Sequence, residues 1–400
     1  MDINVITNII TSSIFCYLTV CVLYNIIFAL SSQLRQIRKY NEYIKKNRFV
    51  ILIPSYKDDN IILNTARKVL DQDYPRQKYD VVVIADKLKS ETLMQLQTMP
   101  LTVIRVSFEK STKAKSLKLA LLHLGENRYD SILILDSDNI PEPGCLEKAN
   151  HALNSGFYVA QLHRTAKNKN TPTAVLDAIS EEIGNAVHRK GHRALGLSST
   201  LIGSGMAFDY SLLYTLMRDL VIEDNPAEDR EINAELLRRG YICEYIDDAL
   251  VLDEKVQSGR VLEKQRTRWI SAQLRYAVQF WIKDVKHIFD YNINYFDYAF
   301  QTLLLPRILI LALSLTMMLL SSIISLCFAQ DLAPGPFWWG SLFIGCCISV
   351  VVPLKSHITI REFWIALLSL PATLWAFVNA LLKSTPHQTE FIHTPKEFTK

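Results

Sequence analysis

The feature that most constrains the fold is a run without a charged side chain, residues 5–30. About 20 apolar residues in a helix are enough to cross the hydrocarbon core of a bilayer. A cleaved signal peptide is the alternative, but this run is too long, no basic segment precedes it, and no clear small-residue cleavage site follows it. The sequence therefore predicts a retained N-terminal transmembrane helix over residues 1–31.

Basic side chains dominate the segment after this helix, where six Lys or Arg residues between positions 35 and 48 accompany one acid, Glu42. Such residues stay on the cytoplasmic side, so the chain from residue 32 is expected to begin in the cytoplasm. This predicts an integral, multi-pass protein of the inner or plasma membrane. The net charge is only +4 and the basic excess lies beside the membrane, so the composition does not indicate nucleic-acid binding.

Three further apolar runs lie in the C-terminal third, at residues 299–328, 337–353 and 363–382. They predict C-terminal transmembrane helices within residues 298–383. Pro306 and Arg307 interrupt the first run, and Pro371 interrupts the last. The seven cysteines include no CxxC pair, so we expect reduced, structural thiols rather than a disulfide framework.

Short apolar, β-rich runs alternate with helical patterns in the first half of the chain. The strand-like runs are residues 49–54, 80–85 and 131–135. Strands that are apolar throughout, with helices between them, indicate a parallel sheet covered on both faces. Such sheets bind ligands at the carboxyl ends of their strands, where this chain carries polar residues. We assign residues 32–255 to a cytosolic domain of this kind.

Acidic residues follow two of the predicted strands directly. Asp136 and Asp138 come after the run at 131–135, and carboxylates two residues apart point the same way in extended chain. At a strand end they can share one hard cation, Mg²⁺ or Mn²⁺, that binds phosphate oxygens. A simple turn is the alternative. Asp86 ends the preceding strand and could accept hydrogen bonds from a ribose or a base, or could only cap a helix.

Three other motifs are each weak when taken alone. Lys113 lies at a helix start, where positive charge and free backbone amides favour a phosphate, although such lysines are often only solvated. Glu228 and Asp229 precede a helix; one of them could take a proton from an attacking hydroxyl, or both could cap the helix. Gly203 and Gly205 could form the floor of an acceptor site or a bulge in a buried strand.

Residues 256–297 contain an amphipathic pattern that suits helices lying in the membrane interface. Its centre is the sequence Gln265-Arg266-Thr267-Arg268-Trp269. Arginine supplies planar, permanently charged donors that fit phosphate oxygens. Tryptophan offers a flat face for a sugar ring. The alternative is an interfacial anchor, because Trp and Arg both favour the headgroup zone.

Taken in order, these motifs resemble the family 2 glycosyltransferases, in particular the membrane-embedded branch that contains cellulose, hyaluronan and poly-N-acetylglucosamine synthases. The resemblance covers nearly the whole chain. It implies an α/β, glycosyltransferase A-type (Rossmann-like) cytosolic domain with N-terminal and C-terminal transmembrane helices and an interfacial amphipathic helix. It also implies a UDP-sugar donor, a Mg²⁺ or Mn²⁺ ion, and an inverting displacement that leaves a β-linkage.

The resemblance also implies roles for individual residues. Asp229 would be the catalytic base, and Asp138 would ligate the metal with Asp136 beside it. The acceptor would lie against Gly203, Gly205, Glu228 and Trp269. The nucleotide sugar would contact Asp58, Asp86, Lys113, Asp136, Gln265, Arg266, Arg268 and Trp269.

The chain departs from the family pattern in a few places. Ala227 stands where the family has a threonine before the Glu-Asp pair, Lys57-Asp58 stands where Asn-Glu is common, and Lys118 replaces a frequent asparagine. These changes could alter donor preference, but they leave the acids in place.

The tail, residues 384–400, contains Phe391, Thr394 and Lys396, which resemble the gating motif of cellulose synthases. Such a motif must be cytosolic, whereas three simple C-terminal spans would put the tail outside. We therefore expect the last apolar run, interrupted by Pro371, not to be a simple span.

Three functions remain open at this stage. The first is a processive polysaccharide synthase that exports its product through the membrane segments. The second is a transferase that adds one sugar to a membrane lipid, as in ceramide glucosyltransferases, which share the QxxRW element. The third, a membrane protein with a degenerate transferase domain, would require the loss of a catalytic acid, and none is missing. The first is the one that the motifs favour.

Overall fold

The structure is a computed structural model, and it describes most of the chain. The described residues are 3–35, 37–38, 40, 45–221, 225–290, 292–328, 332–354 and 358–386. The gating segment with Phe391, Thr394 and Lys396 therefore lies outside the described residues.

One eight-stranded sheet forms the centre of the part of the chain between α1 (Ile3–Leu34) and α10 (Gly259–Val278), with the strand order β3-β2-β1-β4-β7-β6-β8-β5. The strands are β1 (Phe49–Tyr56), β2 (Tyr79–Asp86), β3 (Thr102–Val106), β4 (Ser131–Ile134), β5 (Ile140–Pro141), β6 (Val159–Ala166), β7 (Met206–Asp209) and β8 (Cys243–Asp253). Strands β1 to β4 are parallel, as the sequence predicts.

The sheet is not parallel throughout, because β7 runs antiparallel to both β4 and β6. The reason lies in the chain that enters β7. The backbone N–H of Gly205 donates to the carbonyl of Ile134 at the carboxyl end of β4, 2.9 Å away. Strand β7 therefore begins where β4 ends and returns beside it. Gly203 and Gly205 precede β7 and have φ of 83° and 63°, which glycine adopts most easily.

Helices cover both faces of this sheet, as the apolar strands predict. The α-helices of the described residues are α1 (Ile3–Leu34), α2 (Asp59–Leu70), α3 (Ser90–Gln97), α4 (Lys113–Leu124), α5 (Cys145–Asn154), α6 (Pro172–Asn185), α7 (His192–Ala194), α8 (Tyr210–Asp219), α9 (Glu228–Arg238), α10 (Gly259–Val278), α11 (Ile293–Gln301), α12 (Arg307–Phe328), α13 (Pro336–Leu354) and α14 (Ile360–Lys383).

Alternate residues of one strand enter the two cores. Leu52 of β1 packs in the core that α4, α8 and α9 cover, whereas Ile51 packs in the core beneath α2, α3 and α5.

Four of these helices are long and apolar enough to cross a membrane: α1, α12, α13 and α14. Helix α12 begins at Arg307, directly after Pro306, so the interruption in the first C-terminal run marks a helix start. Helix α13 packs mainly against α1 and α12, whereas α14 packs mainly against α6 and α10.

The expectation that Pro371 breaks the last apolar run is wrong, because α14 continues through it. Proline removes one backbone donor, and packing against neighbouring helices tolerates that loss. Both ends of α14 contact the rest of the protein outside the spans: Glu362 pairs with Lys169 at 3.1 Å, and Lys383 pairs with Glu263 of α10 at 2.6 Å. Helix α14 therefore contacts the segment after β6 at one end and α10 at the other.

Candidate active site

A cavity of about 820 Å³ opens at the carboxyl ends of the central strands and extends between α12, α13 and α14. It gathers nearly all the site residues that the sequence predicts within the described part of the chain. Those that line it are Asp58, Asp86, Lys113, Asp136, Asp138, Gly203, Glu228, Asp229, Gln265, Arg266, Arg268 and Trp269. Gly205 does not line it and packs instead against Gln161 and Val251.

Lys113 connects three of the elements that meet in this cavity. Its ammonium lies 2.5 Å from Asp136 Oδ1, 2.5 Å from the carbonyl oxygen of Gly203, and 3.9 Å from Glu228 Oε1. The side chain is largely buried, so this lysine is not merely solvated. It starts α4, which Thr112 caps by accepting from the backbone N–H of Lys115.

Asp138 is buried at the end of the turn after β4. The side-chain amide of Asn139 donates to Asp138 Oδ1 at 3.3 Å and to Asp253 Oδ1 at 2.9 Å, so it links this turn to the end of β8. Ser137, between the two predicted metal ligands, donates to Asp58 Oδ2 at 2.5 Å. The turn is therefore held rigidly from both sides.

The donor set at this turn fits a divalent metal only in part. Among the described residues, no three His, Cys, Asp or Glu side chains converge on one point that could hold an ion. Mg²⁺ is commonly held by one or two carboxylates together with substrate phosphates. The buried carboxylate of Asp138, with Asp136 two residues before it, suits that arrangement, in which the donor diphosphate completes the coordination.

Sequence reasoning missed three residues of this region, Lys255, Asp253 and Glu181. Lys255 is buried, lies 2.7 Å from Asp253 Oδ2 and also pairs with Glu181 of α6. Burial lowers the pKa of the Lys255 ammonium to about 7. No motif or spacing marks these residues, because they come from separate elements. Only the position of Asp253 at the end of a strand hints at its place.

Asp86 ends β2 as predicted and lines the cavity, with only 1% of its surface exposed. Burial raises the pKa of its carboxyl above the usual range, while the Ser111 hydroxyl and two lysines oppose that shift. One carboxyl oxygen, Oδ1, is buried without a hydrogen-bond partner in the described part of the chain. Buried acceptors normally have a partner, so this oxygen is a ready acceptor for a ligand N–H or O–H.

Asp229 and Glu228 begin α9 on the opposite wall. Asp229 Oδ1 accepts from the backbone N–H of Arg230 at 2.9 Å, which fits the capping interpretation as well as a catalytic one. A Cβ atom at Gly203 would lie 3.5 Å from Asp229 Oδ2, so this glycine leaves the carboxylate accessible. Burial raises the pKa of Glu228 to about 7, with Lys113 opposing the shift and Asp229 adding to it.

This shift makes stability depend on pH. The folded pKa of Glu228 exceeds its ordinary value of 4.5, so its contribution is most favourable below pH 4.5 and is lost as pH rises through about 7. Glu228→Gln should therefore raise the thermal unfolding midpoint at pH 8 and change it little at pH 5. An equal change at both pH values would show that Glu228 does not titrate in this range.

The two arginines of the QRTRW sequence have different surroundings on α10. Arg266 is buried, pairs with Asp177 of α6 and stacks on Trp269 with 4.2 Å between the guanidinium carbon and the ring centre. Arg268 is within electrostatic range of Glu228, Asp136 and Asp229, and burial lowers its pKa against the pull of these carboxylates. Trp269 lines the cavity and keeps 38% of its surface exposed.

Comparison with known proteins gives the family. Residues 47–272 match the family described as "Glycosyltransferase like family 2". The chain belongs to this family. The matched residues extend from β1 through the QRTRW sequence of α10, so they include the cavity-lining residues discussed above.

One curated protein and one solved structure are similar to this chain. The glycosyltransferase is 23% identical over 288 residues to the "Probable glycosyltransferase YdaM" of Bacillus subtilis, and this match covers 66% of each chain, slightly under two thirds of the relative's length. The fold of this chain is also similar to that of the mannosyltransferase PcManGT from Pyrobaculum calidifontis, solved with GDP-Man and Mn²⁺. That similarity has a TM-score of 0.50 and 15% identity, covering 93% of this chain and 97% of the other.

Proposed function

We propose that this glycosyltransferase moves a sugar from a UDP-sugar, with inversion, to an acceptor that enters from the membrane. The observation that carries this proposal is the single cavity that contains the acids of the sheet and continues between the apolar helices α12, α13 and α14. In the proposed arrangement residues 1–31 and 298–383 hold the protein in the membrane. Residues 32–255 form the cytosolic domain, and residues 256–297 lie at the interface.

The tail is proposed to return to the cytosolic side, because one end of α14 pairs with Lys169 of the cytosolic domain and the other with Glu263 of the interfacial helix α10. A membrane-impermeant maleimide added to intact cells should then not label a Thr385→Cys variant. Labelling from outside would contradict this orientation.

In the proposed donor site, Asp86 accepts a hydrogen bond from the nucleoside, and Lys113 and the backbone amides at the start of α4 face the diphosphate. Asp138, with Asp136 beside it, would hold Mg²⁺ or Mn²⁺, which would neutralise negative charge on the leaving diphosphate. The neighbour solved with GDP-Man and Mn²⁺ supports a nucleotide sugar and a divalent ion as the pair that binds here. Arg268 lies near the same carboxylates and would add a fixed positive charge.

The proposed reaction is one displacement at the anomeric carbon. An acceptor hydroxyl attacks this carbon, the bond to the diphosphate oxygen breaks, and the electron pair leaves with UDP. Asp229 takes the proton of the attacking hydroxyl. Because Gly203 leaves one face of Asp229 accessible, this carboxylate has room for an acceptor.

Asp86→Asn is expected to weaken UDP binding by about 10- to 150-fold, because a hydrogen bond to a charged acceptor contributes about 1.5–3 kcal/mol. Calorimetric titration with UDP measures the effect. Asp80→Asn is the matched control, since Asp80 lies on the same strand but pairs with Arg48 at the other end. Equal UDP affinity in the Asp86 variant and the wild type would rule out this role.

The acceptor proposed here is a membrane lipid, the second of the functions open from the sequence. Among the apolar helices the cavity is lined mostly by apolar side chains, which include Phe343 and Val350 of α13 and Phe363 and Leu367 of α14. A sugar chain would lose hydrogen bonds to water in such a passage, whereas an alkyl chain gains from it. Residues Val351, Phe363 and Leu367 are also exposed at the surface, so the opening reaches the position of the lipid.

Processive polysaccharide synthesis remains the second candidate, and one observation favours it. Trp269 offers an exposed aromatic face in the same cavity, next to the catalytic wall. Such a face can stack on the terminal sugar of a growing chain as readily as on a single sugar.

Product analysis separates the two candidates. The purified full chain would be incubated with Mg²⁺ or Mn²⁺, a panel of UDP-sugars and GDP-mannose, with and without membrane lipid, and with Asp138→Asn as the inactive control. One sugar added per lipid, only when lipid is supplied, is the expected result. High-molecular-weight product without added lipid would instead establish the polysaccharide synthase. No sugar transfer from any donor would contradict both.

A further inference from the structure

Two arginines line the cavity on its membrane side without a carboxylate partner. Arg189 lies on the turn that continues α6, and Arg307 begins α12. Arg189 donates to the carbonyl of Thr200 at 3.2 Å and to Asn185 Oδ1 at 3.0 Å. The Arg307 guanidinium donates to Asn25 Oδ1 at 3.4 Å. Within the described ranges of the chain, neither forms an ion pair with Asp or Glu.

Three other arginines with largely buried side chains are neutralised by a carboxylate. Arg164 pairs with Glu181 at 2.5 Å, Arg193 with Glu244 at 3.1 Å, and Arg266 with Asp177. Burying a charge without a counter-ion is costly, and that cost is offset when an opposite charge binds beside it. The contrast therefore indicates that the partner of Arg189 and Arg307 is an anion from outside the chain.

The surroundings of the pair favour the same kind of ligand. Arg307 is within electrostatic range of Arg189, and Arg189 is within range of Asp229, so the pair adjoins the catalytic wall. Nδ1 of His188, which lines the same cavity, is buried without a hydrogen-bond partner in the described part of the protein. The start of α12 adds its own partial positive charge and free backbone amides.

The cavity wall next to Arg307 favours a lipid over a free anion as the ligand. Next to Arg307 the cavity is lined by Ile308, Leu311 and Cys347, and it continues along the apolar wall of α13 and α14. An inorganic ion gains no binding energy from this apolar surface, whereas an alkyl chain is stabilised by burial against it. A phosphate ester suits the arginines, because their planar donors match its oxygens.

We propose that Arg189 and Arg307 bind the phosphate group of an anionic membrane lipid, whose alkyl chain occupies the opening between α12, α13 and α14. The identity of this lipid as the sugar acceptor rests on the proposed function; the binding site itself does not. The acceptor is thereby a phosphate-bearing lipid rather than a neutral one.

Equilibrium binding of radiolabelled hexadecyl phosphate to the full chain in a neutral detergent, without a donor, tests the site. Hexadecyl phosphate should bind at least about tenfold more tightly than hexadecanol, because the ion pair adds about 1.4 kcal/mol or more. Arg307→Gln should remove this preference, and Arg307→Lys should retain part of it. Arg361→Gln is the matched control, since Arg361 also lies at the start of a long apolar helix but is exposed and does not line the cavity.

Each other outcome has a definite meaning. Equal binding of hexadecyl phosphate and hexadecanol, or an unchanged preference in Arg307→Gln, overturns the proposal. Displacement of the probe by an equal concentration of inorganic phosphate overturns the lipid assignment. Glycosylation of a neutral lipid without any phosphate preference leaves the proposed function intact and overturns the assignment of the phosphate-bearing lipid as the acceptor. Polysaccharide formation alongside Arg307-dependent binding supports the site and removes the lipid acceptor.

Discussion

Replacing Asp229 with asparagine is expected to lower kcat/KM for sugar transfer by about 10²–10⁴-fold, the range for the loss of a general base. The asparagine side chain has nearly the same shape but cannot take the proton of the acceptor hydroxyl. Because Asp229 lies on α9 and Asp86 on β2, UDP affinity should stay within about twofold of the wild type. Release of UDP in the presence of acceptor measures the first effect, and calorimetric titration measures the second.

Asp219→Asn is the control for this variant. Asp219 is an exposed acid at the end of α8 that pairs only with Arg218 in the described structure, at 2.9 Å. It should transfer sugar at the wild-type rate, since exposed pairs contribute little. Turnover in Asp229→Asn close to that of Asp219→Asn would eliminate Asp229 as the base and favour its capping role at the start of α9.

Replacing Glu244 with alanine is expected to lower the free energy of unfolding by about 3–5 kcal/mol, the usual cost of breaking a buried ion pair from one side. Glu244 is fully buried on β8 and accepts from Arg35 at 2.6 Å, Arg38 at 3.1 Å and Arg193 at 3.1 Å. Arg35 and Arg38 follow α1, one of the four helices long and apolar enough to cross a membrane, so this carboxylate ties that helix to the sheet. Its removal leaves three positive charges together without a counter-ion.

The pH dependence of this cluster provides a second measurement. Burial alone would raise the pKa of Glu244, but Arg193 and Arg35 outweigh it, so the folded pKa lies below the ordinary value of 4.5. The stability it contributes is present above pH 4.5 and is lost as pH falls through the folded pKa.

Thermal unfolding in detergent at pH 7 should show a large loss for Glu244→Ala, a smaller one for Glu244→Gln, and almost none for Glu126→Ala, whose pair with Arg218 is exposed. A midpoint for Glu244→Ala equal to that of Glu126→Ala would show that the three arginines find other partners.

Local sequence patterns determined much of this protein. The apolar runs at 49–54, 80–85 and 131–135 became β1, β2 and β4, because residues buried on both faces of a sheet are apolar without alternation. Those strand ends then placed Asp86 and Asp138 together at one edge, which follows from parallel strands alone. The helix starting at Lys113 was also readable, since Thr112 is a common N-cap residue.

Only the tertiary structure decided which charged groups are paired. Arg266 and Arg268 differ by two positions, yet one is bound to Asp177 and the other is within electrostatic range of the acids at the start of α9. The tertiary structure also decided the pairing of Asp253 with Lys255, the antiparallel direction of β7, and the continuity of α14 through Pro371. Arg189 and Arg307 are far apart in sequence and meet in one cavity. A sequence pattern records the neighbours of a residue along its own helix or strand, whereas pairing and burial of charge depend on contacts between elements that only the folded chain brings together.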